Sequence, residues 1–249
     1  MNVELCLQRI GHLGSPEPSL HTLRDLQLAF LLQVPFENLD IHLGHEITLS
    51  SEKIYEKIVS RRRGGFCYEC NTLFADLLRK LGFQVDCLSA RIVLGATVNP
   101  EFDHMALRVR LDSDYLVDVG NGQSCREPLR MDGKGTAASE GFRYRVGNHN
   151  DDLALYFQHS EGEWAPRFLF TIIPRQPSDF EEMCRHHQTS PDAPFTQHRL
   201  TTIATKDGRV QMLDRLLSIT EGSRRQEEEL DSEEACREAL VQHFGLNIE

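Results

Sequence analysis

A pair of glycines that leads into a cysteine at the start of a helix-like run constrains this chain more than any other feature. Gly64-Gly65-Phe66-Cys67 stands in the segment 62–71, and leucines then recur at helical spacing until Gly82 ends the run. Cys67 is therefore predicted at the N-terminus of a helix, where the partial positive charge favours the nucleophilic thiolate. The two glycines would let the backbone approach the group that the sulfur attacks. The alternative for a single cysteine is an ordinary buried thiol.

Composition and charge narrow the class of protein. The chain has 249 residues, of which 40% are hydrophobic and 26% are charged, which is typical of a globular protein with a substantial core. A formal net charge of −11 argues against a nucleic-acid partner, and it means that an anionic ligand needs a local positive site. Residues 1–10 lack the apolar segment of a secretory signal, and no apolar stretch is long enough to span a membrane. We therefore expect a cytoplasmic protein without a membrane partner, whose oligomeric state the sequence does not indicate.

The seven cysteines are expected to be mostly reduced thiols. Cys67 and Cys70 form a CxxC pair, a spacing found in redox sites and in half of many zinc sites. The second half of a zinc site is missing from the sequence, so no metal is expected. A redox partnership between the two thiols stays open on spacing alone.

The spacing of apolar residues predicts an α+β protein with three regions. Residues 1–83 predict a bundle of four helices, with Ser19 as the N-cap of the second and Cys67 near the start of the fourth. Residues 84–190 contain short β-rich runs separated by Gly, Pro, Asn and Asp, typical of an antiparallel sheet or barrel. Residues 191–249 predict a connector and a small α/β region.

The C-terminal region carries three local signals. Two strand-like runs surround a predicted turn at residues 206–208. A final helix is predicted over residues 231–244, for which Asp231 and Glu234 have capping-box spacing. The acidic stretch 221–229 is interpreted as a solvated linker or helix face.

A nucleophilic cysteine needs a base and a third group that orients the base. His104 opens a strand-like run, and Asp118 lies between two valines, where an unpaired carboxylate is costly. The alternative for Asp118 is an edge-strand aspartate that caps a turn or faces solvent. Direct pairing of the two residues needs a hairpin centred on residue 111, whereas the turn residues 112–114 centre on 113. A bulge or a displaced register is therefore expected, and spacing alone does not establish a triad.

These motifs together resemble the arylamine N-acetyltransferase family. The resemblance rests first on Arg-Gly-Gly-Phe-Cys-Tyr-Glu-x-Asn around Cys67, then on His-Met-x-Leu at His104 and Tyr-Leu-Val-Asp-Val-Gly around Asp118. The segments 35–39 and 178–196 carry further similar motifs, and the resemblance fades after about Leu213. It implies a helical bundle with the cysteine, a β-barrel with the histidine and aspartate, and a small α/β lid over the cleft, in a cysteine-protease-like arrangement.

The resemblance also implies an activity. The family transfers an acetyl group from acetyl-CoA to an arylamine, an arylhydroxylamine or a hydrazine. Cys67, His104 and Asp118 would form the catalytic triad, with an acetyl-cysteine intermediate and ping-pong kinetics. Acetyl-CoA is then a co-substrate, and no permanently bound cofactor is expected.

The remaining site residues are expected from the same resemblance. The acceptor pocket is expected to be lined by Phe36, Phe66 and Asn121, with a place in the core as the alternative for Phe36. The CoA pyrophosphate is expected to approach the backbone at Gly122, Gln123 and Ser124. Behind the nucleophile, Glu37 is expected to pair with Arg62, unless the two form a simple surface pair.

The chain departs from the family pattern at two positions near the site. The family usually has Val-Gly-Phe-Gly after the aspartate, whereas this chain has Asn121 in place of the phenylalanine. A large apolar wall is thereby replaced by a polar side chain, which bears on selectivity for flat apolar amines. Cys70 stands where the family usually has leucine, and it is interpreted as a packing residue rather than as a redox partner. The lid is expected to be short.

Three rival functions remain at this stage. Amide synthases of the same scaffold use the same triad on a polyketide acyl chain bound to a carrier protein. A hydrolytic cysteine protease would use water as the acceptor. A binding protein without catalytic activity would need no reactive Cys67.

Overall fold

The first 83 residues form mainly helices, as the apolar spacing predicted. The computed structural model describes residues 1–12, 14, 16–123, 125–159 and 161–248. The helices of this region are α1 (Val3–Arg9), α2 (Leu20–Gln33), α3 (Leu39–His42), α4 (Ser51–Tyr55), which continues as one π-helical turn (Glu56–Ser60), and α5 (Cys67–Lys80). Ser19 caps α2 as expected, because its hydroxyl accepts from the Thr22 N–H at 3.1 Å. Gly82 ends α5 with a φ of +92°, which favours glycine.

The two glycines before Cys67 are needed for packing inside the protein. A Cβ atom on Gly64 would lie 2.1 Å from the carbonyl oxygen of Pro35, and one on Gly65 would lie 2.8 Å from the Cβ of Glu69. Their role is therefore to let this loop pass close to its own neighbours, which differs from the expected approach to a substrate.

Between residues 84 and 175, the part of the chain that the structure describes forms a nine-stranded antiparallel sheet that curls into an almost closed barrel. Its strands are β2 (Gln84–Leu94), β3 (Thr97–Val98), β4 (His104–Arg110), β5 (Asp114–Val117), β6 (Leu129–Arg130), β7 (Ala137–Ser139), β8 (Phe142–His149), β9 (Asp152–His159) and β10 (Ala165–Arg175). The order is β6-β5-β4-β2-β10-β9-β8-β7, with β3 paired to β2, and β6 lies close to β8. The β-rich runs of the sequence correspond to the six longer strands, and β3, β6 and β7, which they did not predict, are only two or three residues long.

A second, five-stranded sheet forms the C-terminal region. Its strands are β1 (Phe36–Glu37), β11 (Leu200–Ala204), β12 (Gly208–Leu213), β13 (Leu216–Glu221) and β14 (Arg224–Glu229), in the order β1-β11-β12-β13-β14. The last helix, here called α8, spans Glu233–Phe244. Leu240 and Phe244 of α8 share a core cluster with Val210 and Leu217 of the sheet.

Two predictions for the C-terminal region were wrong. Residues 221–229 are not a linker or a helix face, because β14 pairs along its whole length with β13. All six side chains of β14 are exposed, and this charged edge strand needs no apolar face because one neighbour supplies its hydrogen bonds. The N-cap of α8 is Ser232 rather than Asp231, since the Ser232 hydroxyl accepts from the Ala235 N–H at 3.1 Å.

The bundle, the barrel and the C-terminal sheet share cores and strands. The helices pack against β2, β4 and β5 in one apolar cluster, while a second cluster fills the barrel. The segment after the barrel contains a 3₁₀ turn (Pro177–Phe180), α6 (Glu181–Thr189) and α7 (Pro194–Gln197), and Phe180 and Cys184 join the bundle cluster. The division into 1–83, 84–190 and 191–249 stays a prediction, and β1 and Phe180 link its parts. No helix within the described residues is long and apolar enough to cross a membrane.

Candidate active site

Cys67 is the first residue of α5, at the helix N-terminus that the sequence predicted. A carboxylate oxygen of Glu69 accepts from the Phe66 N–H at 3.1 Å, which holds the entry to the helix. Cys67 is 3% exposed and lines a cavity of about 430 Å³, a size that suits a small-molecule substrate. All seven cysteines are free and buried, and Cys70 bonds through its sulfur to the Gly65 carbonyl at 3.1 Å.

His104 and Asp118 lie together on one face of the barrel. The Nε2 atom of His104 and the Oδ2 atom of Asp118 are 2.9 Å apart, and both side chains are buried. Leu107 pairs with Val117, so the hairpin is centred on residue 112 rather than on 111 or 113. His104 and Asp118 are therefore diagonal neighbours on the same face, so of the two expected alternatives the displaced register, and not the bulge, brings them together.

Asn71 locks Asp118 to the helix that carries Cys67. Its side-chain amide donates to Asp118 Oδ1 at 3.0 Å and to the Met105 carbonyl at 2.7 Å, while its oxygen accepts from the Val119 N–H at 3.1 Å. The sequence reasoning assigned no role to Asn71. The signal was available, because a polar side chain in the buried first turns of an apolar helix needs partners, as Asp118 does in its strand.

The loop after Asp118 touches the start of α5. A Cβ atom on Gly120 would lie 2.7 Å from the Cα and carbonyl oxygen of Cys67 and from the Asn71 amide nitrogen. The Gly120 N–H also donates to Asp118 Oδ1 at 2.9 Å. Glycine at 120 thus allows the aspartate loop and the cysteine helix to meet without a gap.

Asp118 is held in its ionised form. Burial raises the pKa of this carboxyl. The charge and hydrogen bond of His104, together with the donors Asn71 and Gly120, lower the pKa by more than burial raises it, so that it lies below its ordinary value. An ionised Asp118 can orient His104 and stabilise a positive imidazolium.

The surroundings of Cys67 favour the neutral thiol over the thiolate. Burial raises the pKa of the Cys67 thiol well above the ordinary value, the nearby Asp103, Cys184 and Asp118 raise it further, and a backbone hydrogen bond from Met105 offsets part of this rise. The helix N-terminus is therefore not sufficient to give the thiolate that the sequence led us to expect. The thiol ionises where its proton can pass to a base.

The cavity brings together some of the predicted binding residues. Cys67 and His104 share its lining with Phe36, Asn121, Gly122 and Gln123. Ser124 lies outside the described residues.

Phe66 does not line this cavity and is fully buried. Its ring packs against Tyr68 and Phe195, with centroids 5.1 and 6.1 Å away. Because Phe195 does line the cavity, Phe66 supports the wall from behind instead of facing the acceptor. The prediction that Phe66 contacts substrate is corrected on this point.

The cation that pairs with Glu37 is Arg63 and not Arg62. Arg63 donates twice to Glu37 Oε1, at 2.8 and 3.1 Å, and once to Asp40 at 2.9 Å. Arg62 has a left-handed φ of +54° and an exposed side chain, so the turn at Arg62 directs the next residue inward. Glu37 is fully buried, which excludes a simple surface pair.

Lys57 completes this buried group of charges. Its ammonium lies 2.8 Å from Asp40 and 2.9 Å from Glu69. We call the five residues the support cluster; they are Glu37, Asp40, Lys57, Arg63 and Glu69. Burial lowers the pKa of Lys57, but its three carboxylate neighbours outweigh burial and raise the pKa. Burial raises the pKa of Glu69 to about 7 in spite of Lys57. No group of three or more His, Cys, Asp or Glu side chains within the described residues could hold a metal ion.

Comparisons with known proteins agree with one another. A family model described as N-acetyltransferase matches residues 19–249. The arylamine N-acetyltransferase of Mycolicibacterium smegmatis is 36% identical over 97% of this chain and 90% of its own length. That of Escherichia coli (strain K12) is 34% identical over 80% of this chain and 72% of its own length. Among solved structures, M. smegmatis arylamine N-acetyl transferase superposes with a TM-score of 0.92 at 35% identity, covering 99% of this chain and 93% of that chain. The Mycobacterium marinum arylamine N-acetyltransferase in complex with CoA gives 0.90 at 29% identity, with the same two coverages.

Proposed function

The chain belongs to the arylamine N-acetyltransferase family, and from this premise we propose that it moves an acetyl group from acetyl-CoA to the nitrogen of an arylamine, an arylhydroxylamine or a hydrazine. One observation carries the proposal. Cys67 and His104 line a single cavity, and His104 is hydrogen-bonded to the ionised Asp118. We call Cys67, His104 and Asp118 the candidate triad.

The first half-reaction acetylates the enzyme. The bond from His104 Nε2 to Asp118 leaves Nδ1 as the ring nitrogen that takes the Cys67 proton. The sulfur attacks the thioester carbonyl of acetyl-CoA, the new sulfur–carbon bond forms, and the bond to the CoA sulfur breaks. The proton on His104 passes to the departing CoA thiolate. Backbone N–H groups at the start of α5, beside Cys67, would stabilise the oxyanion between these steps.

The second half-reaction passes the acetyl group to the acceptor. After CoA leaves, the amine nitrogen attacks the carbonyl carbon of the acetyl-cysteine, and His104 takes the amine proton. The bond to Cys67 breaks, and the same proton returns to the sulfur. One site that serves both substrates in turn gives ping-pong kinetics. Asp118 stabilises the imidazolium in both halves.

The donor approaches the loop that follows Asp118. Gly122 and Gln123 line the cavity with Cys67, which supports their proposed contact with CoA, and Ser124 is proposed from the resemblance alone. A Cβ atom on Gly122 would lie 3.3 Å from the Thr202 methyl group, so a larger residue here would press on β11. Phe36 and Asn121 would face the acceptor. The free state of all seven cysteines supports a reducing compartment, and we propose the cytoplasm.

Mass spectrometry after brief exposure to acetyl-CoA without acceptor tests the nucleophile and the donor together. The intact protein is expected to gain one acetyl group, which peptide mapping assigns to Cys67. Cys67→Ala should gain none, while Cys70→Ala is the matched control, because Cys70 is one helical turn further into the core and outside the cavity lining. An acetyl group on Cys70, or none on the wild-type protein, would remove the proposal.

Initial rates at several fixed acceptor concentrations test the order of events. A ping-pong mechanism gives parallel double-reciprocal lines, whereas intersecting lines would indicate that both substrates bind before any transfer. Activity with an acyl chain on a carrier protein, without activity on acetyl-CoA, would favour the amide synthase instead.

A further inference from the structure

Arg167 is aimed into the active-site cavity by an irregularity in β10. Pro166 pairs with Tyr156 and Phe168 pairs with Leu155, so Arg167 is the extra residue of a β-bulge. Bulges redirect side chains and are frequent beside active sites. Phe168 contacts the His104 ring at 5.3 Å between centroids, and Arg167 lines the same cavity as Cys67. A cation is thus built next to the candidate triad.

The donors of Arg167 are mostly unused. A guanidinium carries five N–H groups, and one hydrogen bond, from Nη2 to Asn121 Oδ1 at 2.8 Å, joins Arg167 to its described neighbours. Its Nε is buried and has no hydrogen-bond partner among the described residues. In the part of the chain that the structure describes, no carboxylate lies within ion-pair distance of Arg167. A half-buried arginine with unused donors at a cavity can bind an anionic ligand.

The charges around Arg167 favour an anion from outside the protein. Two carboxylates act electrostatically on Arg167, and one of them, Glu140, is already paired with Arg126 and Arg209 at 2.8 and 2.9 Å. The other carboxylate, Asp118, is hydrogen-bonded to His104, Asn71 and Gly120. Burial lowers the pKa of Arg167, which is the expected sign for a cation without a bound counter-charge. In a chain of net charge −11, this is a local positive site of the kind an anionic ligand requires.

We propose that Arg167, held by Asn121, binds an anionic substituent on the ring of the acceptor, so that the preferred acceptors are aromatic amines that carry a carboxylate. The inference rests on the proposed acetyl transfer and names its acceptor class. Guanidinium and carboxylate match in shape and can form two parallel hydrogen bonds. The family usually has phenylalanine at the position of Asn121. In this chain an amide that accepts a hydrogen bond from Arg167 therefore replaces an apolar ring in the cavity lining.

The same anion chemistry could come from the phosphates of CoA. We assign the arginine to the acceptor because Arg167 directly precedes Phe168, whose ring lies 5.3 Å from that of His104, where the acceptor nitrogen reacts. The residues proposed to contact CoA, Gly122 and Gln123, follow Asn121 directly, so the CoA phosphates are the alternative ligand that the test has to separate. The two sources differ in which kinetic constant the arginine controls, so one set of variants separates them.

The test compares 4-aminobenzoate with the uncharged 4-aminobenzamide, which has nearly the same shape. For each enzyme we measure kcat/KM for the two acceptors and use their ratio, which cancels differences in folding and in the first half-reaction. Arg167→Gln is expected to lower the benzoate-to-benzamide ratio about 10- to 100-fold, and Arg167→Lys should restore part of it. Arg145→Gln is the matched control, because Arg145 stacks on Trp164 at 4.7 Å and does not line the cavity.

A second measurement needs no variant. Benzoate, which has no amine, should inhibit the wild-type enzyme competitively against the amine and about 10-fold or more strongly than benzamide. An unchanged ratio in Arg167→Gln, or equal inhibition by benzoate and benzamide, would overturn the proposal. So would a raised KM for acetyl-CoA with an unchanged acceptor ratio, which would assign the arginine to CoA. Acetylation of Cys67 in the absence of acceptor reports separately on the proposed function.

Discussion

Two buried groups of ionisable side chains flank the first turn of α5, and they differ in how completely their charges are paired. In the support cluster, each carboxylate lies within 2.9 Å of Lys57 or Arg63. In the candidate triad, Asp118 is paired, but Cys67 is a thiol whose ionised form its surroundings disfavour. Paired charges hold a loop in place, whereas a group that ionises only by giving its proton to a neighbour is suited to chemistry.

The two groups are connected through the residues around Cys67. Glu69, in the support cluster, accepts from the Phe66 N–H just before the cysteine, and Asn71, on the same helix, donates to Asp118. The same turn of helix is therefore held from one side by ion pairs and from the other by amide hydrogen bonds. Changes in the candidate triad should therefore reduce activity at nearly constant stability, and changes in the support cluster should reduce stability more than activity.

The largest expected effect is on activity, from Asp118→Asn. The amide has almost the same shape, but it cannot stabilise the imidazolium and it presents a donor to His104 Nε2. We expect kcat/KM for the acceptor to fall about 10³-fold or more. The change in free energy of unfolding, measured with urea, should remain comparatively small. A variant that keeps more than about a tenth of the activity would show that Asp118 is not the orienting group.

Lys57→Met should produce the largest loss of stability. It leaves three carboxylates with one cation in a buried site, and such a broken pair typically costs about 3 to 5 kcal/mol of unfolding free energy. The matched control is Arg61→Met, four residues on, whose pair with Glu56 is exposed and should contribute less than about 1 kcal/mol. Equal losses in the two variants would contradict the role given to the support cluster.

Asn71→Ala should reduce activity less than Asp118→Asn does. The loss of its bonds to Asp118 and Met105 lets the triad shift, and displacements of this size typically cost about 10- to 100-fold in rate. Because the Asn71 bond lowers the pKa of Asp118, the acidic limb of the pH profile of kcat/KM should move to higher pH. Thr72→Ala, which also removes a buried contact to Met105, should leave that limb in place. A shared shift would assign Asn71 a general packing role.

Glu69 is expected to make the stability of the protein depend on pH. Its pKa is about 7 in the folded protein against an ordinary 4.5, so between these values the folded state binds more protons than the unfolded state. The unfolding free energy should therefore fall as pH rises from about 5 to about 8, by up to about 3 kcal/mol.

A variant pair isolates this contribution of Glu69. In Glu69→Gln the unfolding free energy should no longer decrease between about pH 5 and about pH 8. In Glu52→Gln, which changes an exposed residue of α4, the decrease should remain. Urea titrations at several pH values measure both variants. If Glu52→Gln and Glu69→Gln have the same pH dependence, the raised pKa belongs to another group.

The local elements were predictable because their signals are local. Ser19 is followed by an apolar helical pattern, and Cys67 begins one that ends at Gly82, so both helix starts followed from neighbouring residues. The α+β class and the family resemblance are confirmed, while the catalytic roles of Cys67, His104 and Asp118 stay predictions. Strand β14 was missed because a charged edge strand has no apolar alternation and depends on its neighbour for hydrogen bonds.

The relations between elements were not predictable in the same way. The choice of Arg63 over Arg62 depends on one left-handed residue, and the partners of Asn71 come from strands far along the chain. The diagonal approach of His104 to Asp118 depends on a hairpin register that several turn lengths would allow.

The sequence by itself determined which atoms could react, because a cysteine at a helix start, a histidine and an aspartate in apolar strands are each unusual where they stand. Only the tertiary structure decided how they behave. The helix start alone favours a thiolate at Cys67, but burial beside Asp103 and Asp118 opposes it, since desolvation of a charge is set by every element packed around it. In the same way, Arg167 is one of many arginines in the sequence, and a single bulge in β10 brings it to the cavity.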